Sequence, residues 1–300
     1  MERPSIRQLE YLVAVAEHLN FREAAESCHV TQPALSTQLQ QLEALLGVQL
    51  FERDTRRVVA TTAGVQLAER ARRILGSMDE LTDLARASGE PLTGRLRMGA
   101  IPTVAPYILP TVVQAVREHH QDLVLLLTED QTDRIVARLH SGDLDVLLLA
   151  LDVDLRGGEE LQLFSDPFVL ACPEGHSLAT KEVLAESDLE GETVLLLEEG
   201  HCLRAHALPI CQSAGMTEYA DFRATSLGTL LQMVGAGLGI TLVPEMAVEL
   251  EAQRNPNVVF RHFDEGGPSR RIGLAWRKSS ARKGEFDALG ETIRKAFLAS

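Results

Sequence analysis

The residues best equipped for covalent chemistry lie in one stretch, Glu198-Glu199-Gly200-His201-Cys202-Leu203-Arg204-Ala205-His206-Ala207-Leu208-Pro209-Ile210-Cys211. It holds two of the four cysteines. A thiolate is the reactive form of cysteine, and nearby positive charge lowers a thiol pKa from ~8.5 toward ~4–7. His201 and Arg204 stand where they could act this way on Cys202. Cys211 follows Leu208, Pro209 and Ile210, an apolar setting that disfavours a thiolate. Cys202 therefore reads as an attacking thiol and Cys211 as a possible resolving thiol.

Spacing adds a mechanical expectation. On one helix the two cysteines would stand ~13 Å apart along the axis, on opposite faces. A disulfide needs Cα atoms within roughly 7 Å, so oxidation would have to remodel the segment. The plainer reading is two unrelated cysteines, since free cysteine is usually a small core residue. A zinc site fits less well, because the usual paired ligand spacing is missing. No metal and no cofactor is called for.

Composition bounds what such a switch could serve. Three hundred residues with 45 % hydrophobic content suit two domains or so. No apolar run reaches the ~18–20 residues of a membrane span, and no signal-peptide pattern opens the chain. Four irregularly placed cysteines do not make a secreted disulfide framework, so a reducing cytoplasm is the default compartment. The net charge of −14 excludes a non-specific polyanion binder.

Residues 4–61 read as a short helical domain. Ser5 caps a helix that places Ile6, Leu9, Leu12, Val13 and Ala16 on one face. Asn20-Phe21-Arg22-Glu23 starts a second helix, which carries the small pair Ala24-Ala25. Thr31 caps a third, with Pro33 in its first turn, and Gly47 stops it. Helix, short turn, helix is the helix-turn-helix pattern, whose second helix enters the major groove. Gln32, Pro33, Ser36, Thr37 and Gln38 sit near that helix start, where polar side chains meet base edges or phosphates. Leu50 to Val59 reads as a two-stranded wing, its Arg53, Arg56 and Arg57 placed for phosphates or a minor groove. Residues 1–60 hold six arginines and eight acids, so DNA binding would depend on where arginine sits, not on net charge.

Phe21-Arg22-Glu23-Ala24-Ala25, Val30-Thr31-Gln32-Pro33-Ala34-Leu35-Ser36, Leu46-Gly47-Val48-Gln49-Leu50-Phe51-Glu52-Arg53 and Thr61-Thr62-Ala63-Gly64 occur in this order. In this the chain closely resembles the LysR-type transcriptional regulators. The resemblance implies an all-α winged helix-turn-helix, a dimerising linker helix and an α/β effector domain of two lobes, like a periplasmic binding protein. The linker would be residues 62–90. There Leu67, Ala71, Ile74, Met78, Leu81 and Ala85 alternate steps of four and three, a heptad spacing. The effector domain would be 91–300, with lobe I about 91–165 and 268–300 and lobe II about 166–267. Its strand and helix runs alternate from Arg95 to Ala150, which predicts a mostly parallel sheet. A second such unit starts near Phe168, and Arg271 to Trp276 with a final helix returns to the first. Gly235-Ala236-Gly237-Leu238-Gly239 follows a helix and reads as a turn, not a dinucleotide site.

Within that family the cysteine segment, Ile101-Pro102-Thr103-Val104-Ala105-Pro106-Tyr107, Gln131-Thr132 and Phe222-Arg223-Ala224-Thr225-Ser226-Leu227 resemble the peroxide-sensing members. That resemblance makes Cys202 the peroxidatic thiol and Cys211 its resolving partner in a disulfide. Thr103 and Thr132 would hydrogen-bond peroxide, His201 would sit beside the thiolate, and Arg270 would stabilise it, with Arg271 a rival. His206 is expected at the surface, and Cys28 and Cys172 in the core. The implied partners are promoter DNA, hydrogen peroxide, RNA polymerase, a second copy through the linker (a tetramer in all) and a thiol reductant such as a glutaredoxin. One departure stands out: the family commonly has an acid where this chain has Ala205, so the anchor of Arg204 is open. A regulator answering a small anionic metabolite through Thr103 and Thr225-Ser226 is the alternative. A thiol peroxidase would use the same cysteine, but the DNA-binding half argues against an enzyme.

Overall fold

The computed structural model describes residues 3–53, 58–86 and 92–298. They fall into two compact units, the first reaching α4 and the second starting at β3.

The N-terminal unit packs α1 (Ile6–His18), α2 (Phe21–Ser27) and α3 (Gln32–Leu46), a hairpin of β1 (Phe51–Arg53) and β2 (Val58–Ala60), and α4 (Thr62–Arg86). The start signals act as the sequence predicts at two of three helices. Ser5 and Gln8 close a capping box on α1, and Asn20 Oδ1 accepts from the Arg22 and Glu23 backbone amides. Thr31 has the extended backbone of a cap, but its side chain makes no cap bond, and Pro33 leaves that turn one donor short in any case. Gly47 ends α3 at φ 68°, a conformation a Cβ disfavours. Leu35, Leu39 and Leu42 of α3 are fully buried with Leu12, Val15, Ala24 and Phe51. The close approach at Ala24 is what the small side chain permits. Cys28, expected in the core, is only half-buried at the end of α2.

The second unit builds an eight-stranded sheet. Its strands are β3 (Gly94–Ala100), β4 (Leu123–Glu129), β5 (Val146–Ala150), β6 (Glu159–Pro173), β7 (Val183–Leu184), β10 (Thr241–Pro244), β11 (Val258–Phe263) and β12 (Ser269–Trp276). The strands β8 (Thr193–Leu197) and β9 (Thr217–Ala224) make a separate parallel pair. Helices α5 (Ala105–His119), α6 (Thr132–Ser141), α7 (Cys202–Ser213), α8 (Leu227–Gly235), α9 (Glu245–Arg254) and α10 (Lys283–Leu298) complete it.

The parallel pairing expected for the run from Arg95 to Ala150 holds, while the sheet as a whole is mixed. β3 pairs β4 and β5 in parallel, as helical crossovers require, but β12 pairs β5 and β6 antiparallel, and β10 and β11 pair β6 antiparallel, with β11 parallel to β7 on its other side. The second α/β run also does not begin afresh at Phe168. β6 is one strand of 15 residues: its first half pairs β12 and its second half pairs β10 and β11. One continuous strand therefore serves two cores. The first core gathers Leu96, Ile108, Ile135, Leu148, Ile272, Trp276 and Phe286, and the second gathers Val169, Leu184, Leu195, Leu231 and Val243. Cys172, near the end of β6, is fully buried in the second.

Candidate redox site and nucleic-acid face

The two cysteines share α7, but they belong to different cores. Leu203, Ala207 and Cys211 recur every four residues and pack into the second core, whereas Cys202 packs into the first. A helix turns 100° per residue, so the stripe 203, 207, 211 and the pair 202, 206 occupy different faces. Both thiols are free and buried. Pro209 lies between them inside the helix and removes the hydrogen bond that residue 209 would give the Ala205 carbonyl.

Cys202 opens the helix. Gly200 makes the entry possible: its φ is +94°, and a Cβ there would stand 3.0 Å from the Gln131 amide. His201 is the N-cap, 6 % exposed, with no cap bond from its ring. Gln131 Nε2 donates to Glu198 Oε1 at 3.2 Å and lies 3.4 Å from His201 Nε2. An amide nitrogen can only donate, so the ring nitrogen facing it accepts and the His201 hydrogen sits on Nδ1. That Nδ1 is buried with no partner among the described residues, which leaves a donor to spare. Burial lowers the His201 pKa against a smaller opposing effect of Glu198, so the ring is neutral at neutral pH.

Arg270 is the buried cation of the site, its side chain 0 % exposed. Arg270 and Asp166 are register partners across β12 and β6. Nε donates to Asp166 Oδ2 at 2.9 Å, Nη1 to Thr103 Oγ1 at 3.0 Å, and Nη2 to the Thr103 carbonyl at 3.0 Å. Asp166 Oδ1 in turn accepts from the Met246 amide at 3.1 Å. Burial pushes the Asp166 carboxyl up while Arg270 holds it down. Arg271, the rival, points away: it pairs with Asp152 and Glu160 and is 41 % exposed.

The Cys202 thiol feels both influences. Burial is the largest and pushes its pKa up. Arg270, the Thr132 and Thr103 hydroxyls and the Leu203 backbone N–H oppose it. Apart from its closeness to that sulfur, Thr132 Oγ1 has no partner among the described residues. Thr103 is 2 % and Thr132 7 % exposed. Cys211 is pushed up to about 12, chiefly by burial, as its apolar neighbours imply. The arrangement can hold a small polar molecule by hydroxyl and guanidinium donors beside one sulfur, with the second sulfur kept protonated.

Two sequence expectations are corrected here. Arg204 does not serve Cys202: its Nη1 and Nη2 donate to Glu218 at 2.7 and 3.0 Å. Glu218 of β9 supplies the anchor that Ala205 cannot. His206 is not a surface residue. It is half-buried, with Nε2 3.2 Å from the Asp152 carbonyl oxygen and Nδ1 buried. Asp166, Glu218 and the His206 contact left no mark in the sequence, since each depends on strand or lobe pairing across 14 to 104 positions. Ser226 Oγ is spent on capping α8, accepting from the Thr229 amide at 3.3 Å.

In the N-terminal unit, Gln32, Pro33 and Thr37 are exposed along the start of α3, and Ser36 and Gln38 are half-buried. Thr37 Oγ1 donates to the Pro33 carbonyl at 2.9 Å, and Gln38 Oε1 accepts from Gln8 Nε2 at 3.3 Å. Gln32 is thus the exposed polar side chain of this turn not tied down among the described residues. β1 and β2 pair antiparallel, Phe51 opposite Ala60. Arg56 and Arg57 lie outside the described residues, as does the side chain of Arg53.

Residues 6–65 match the bacterial regulatory helix-turn-helix protein model of the lysR family, and residues 89–298 match the LysR substrate binding domain. The DNA-binding transcriptional dual regulator OxyR of Escherichia coli K12 is 45% identical over 290 residues, 97% of this chain and 95% of the relative. A full-length OxyR variant from Pseudomonas aeruginosa is 31% identical with a TM-score of 0.80, covering 98% of this chain and 96% of that one. A hydrogen-peroxide-bound mutant of Corynebacterium glutamicum OxyR is 38% identical, TM-score 0.69, over 99% and 94%. With both halves matched and such relatives aligned along nearly its whole length, the chain belongs to the lysR family of bacterial helix-turn-helix regulators.

Proposed function

We propose that this chain is a peroxide-responsive transcriptional regulator that controls antioxidant genes, with Cys202 as the sensor. The observation that carries the reading is the setting of that thiol. It is 5 % exposed, with Arg270, Thr103 and Thr132 acting on it, His201 next to it, and a second buried thiol two and a half turns along the same helix.

The chemistry is a two-step oxidation. The Cys202 thiolate attacks one peroxide oxygen, the O–O bond breaks, and the leaving hydroxide takes a proton to become water. Cys202 is then a sulfenic acid. The Cys211 sulfur attacks it, the S–OH bond breaks, and a second water leaves with the Cys211 proton. Peroxide is reduced by two electrons and the dithiol is oxidised to a disulfide. Thr103 and Thr132 orient the peroxide, which is small and neutral and so is held by hydrogen bonds. Arg270 stabilises the charge on sulfur. The His201 Nδ1 hydrogen, without a partner among the described residues, is available to the departing oxygen.

In this reading residues 4–61 bind operator DNA through Gln32, Pro33, Ser36, Thr37, Gln38, Arg53, Arg56 and Arg57. Residues 62–90 dimerise, which accords with the exposed Ile74, Met78 and Leu81 of α4. Residues 91–300 form the sensor, and the working unit is a tetramer. Disulfide formation rearranges α7, alters contact with promoter and RNA polymerase, and is reversed by a cytoplasmic thiol reductant such as a glutaredoxin. The chain acts by binding, not as a turnover enzyme.

Mass spectrometry of alkylated peptides after peroxide treatment tests the reading. A Cys202–Cys211 bond is expected, lost in Cys202→Ser and in Cys211→Ser. A pair still reduced under saturating peroxide overturns it.

A further inference from the structure

We propose that His206 is a positioning residue for the redox switch: its bond to the Asp152 carbonyl ties the face of α7 that bears Cys202 to the first core, and the tie is released when the disulfide forms. This rests on the reading of Cys202 and Cys211 given above.

Three observations carry it. His206 follows Cys202 by four residues, so one helical turn separates them on one face. Its Nε2 lies 3.2 Å from the Asp152 carbonyl. A carbonyl only accepts, so this nitrogen carries the ring hydrogen and donates it. The remainder of α7 is held elsewhere, by Leu203, Ala207 and Cys211 in the second core and by Arg204 on Glu218. His206 is therefore a hydrogen bond from the helix to the segment that follows β5.

The anchor itself is fixed. Asp152 Oδ1 accepts from Arg271 Nε at 2.9 Å, and the adjoining Leu151 amide donates to the Arg271 carbonyl at 2.8 Å. The acceptor cannot follow the helix if α7 moves. Nor is the ring a strong charge partner. Burial chiefly, with Arg270 adding to it, lowers the pKa of the ring, and its buried Nδ1 has no partner among the described residues, so the contact is a neutral hydrogen bond of ordinary strength.

Movement is unavoidable on oxidation. The cysteines start ~13 Å apart along the helix axis, and a disulfide brings their Cα atoms within roughly 7 Å. The turns between must unwind, and His206 lies within them, three residues before the gap at Pro209. The tether thus stabilises the dithiol state and not the disulfide state. Removing it shifts the dithiol–disulfide equilibrium toward disulfide.

The test is redox titration of the full chain in dithiothreitol buffers, with the disulfide fraction read by alkylation and mass spectrometry. His206→Ala and His206→Phe are each expected to shift the equilibrium about fivefold toward the disulfide, a potential about 20 mV more negative for this two-electron couple. His206→Gln, whose amide can still donate to the carbonyl, is expected to stay near wild type. The phenylalanine variant keeps ring volume, so it reports the tether even where alanine impairs folding. Alanine and phenylalanine variants that titrate with wild type overturn the tether, as does a glutamine variant that shifts as far as they do. A wild-type chain that forms no Cys202–Cys211 bond overturns the reading of the switch itself.

Discussion

Arg204 and Glu218 form a two-pronged ion pair, at 2.7 and 3.0 Å, that pins the first turn of α7 to β9. The pair is partly buried, with side chains 12% and 25% exposed. It anchors the arginine, which the neighbouring Ala205 cannot do. Glu218→Ala is expected to cost about 1 kcal/mol and to lower the Tm of the reduced chain by about 2–4 °C, measured by circular dichroism. Because Arg204 does not act on the thiol, peroxide should still oxidise Cys202 in this variant. A variant that melts with wild type shows the pair to be dispensable.

Arg270 is the charge that opposes burial at Cys202. Arg270→Met is expected to slow Cys202 oxidation about tenfold at neutral pH, followed by quenched alkylation. The single variant strands Asp166, its buried partner, which is costly. Arg270→Met combined with Asp166→Leu removes both charges and should restore stability without restoring the rate. A double variant as fast as wild type would show that the cation does not assist the sulfur.

The thiol pKa values set two pH dependences. Since Cys202 is raised above its ordinary value, little thiolate is present at neutral pH, and its oxidation rate should climb steadily from pH 6 to beyond pH 9. Cys211 contributes to alkaline stability. Its folded pKa is about 12 against an unfolded value of 9.0. Between these values the unfolded chain has lost a proton that the folded chain retains, so stability falls as pH rises through that window and is fully present below it. Urea unfolding of wild type and Cys211→Ala at pH 8 and 10.5 should show a steeper loss in wild type. Parallel losses would contradict the buried, protonated state.

At the DNA face, Gln32 is exposed and makes no internal side-chain bond among the described residues. Gln32→Ala should leave the Tm unchanged and weaken operator binding by about 1–3 kcal/mol, if this side chain reads a base edge. Binding to unrelated DNA should change much less. Fluorescence anisotropy on both sequences at fixed salt distinguishes this from a uniform phosphate effect.

Much of this was legible in the chain because it rests on local rules. Ser5, Asn20 and Gly47 bound their helices through chemistry within three or four residues. The Leu35, Leu39, Leu42 spacing marks the face of α3 that packs on Leu12, Val15, Ala24 and Phe51. The cysteine helix was also visible, since both thiols lie on one short stretch. What escaped was non-local. Asp166 meets Arg270 only because β6 and β12 align in one register. Arg204 and His206 sit beside Cys202 in sequence, yet their partners come from β9 and from the segment after β5. Proximity along the chain suggested that Arg204 acts on the thiol, but side-chain direction sends it elsewhere. The parallel pairing of β3, β4 and β5 is legible in their alternation with helices, but the antiparallel pairing of β10, β11 and β12 is not, because an apolar run does not state which way its neighbour points.

The sealing of both sulfurs, 5% and 1% exposed, makes the resting protein a sieve as well as a sensor. In the proposed reading, an oxidant little larger than water suits Cys202 best, since so little of the residue is open to solvent. A hydroperoxide with a long alkyl tail, or a glutathione-sized disulfide, must first prise the lobe apart. Discrimination among oxidants is then decided by the width of a transient passage, with no need for tight affinity toward any of them.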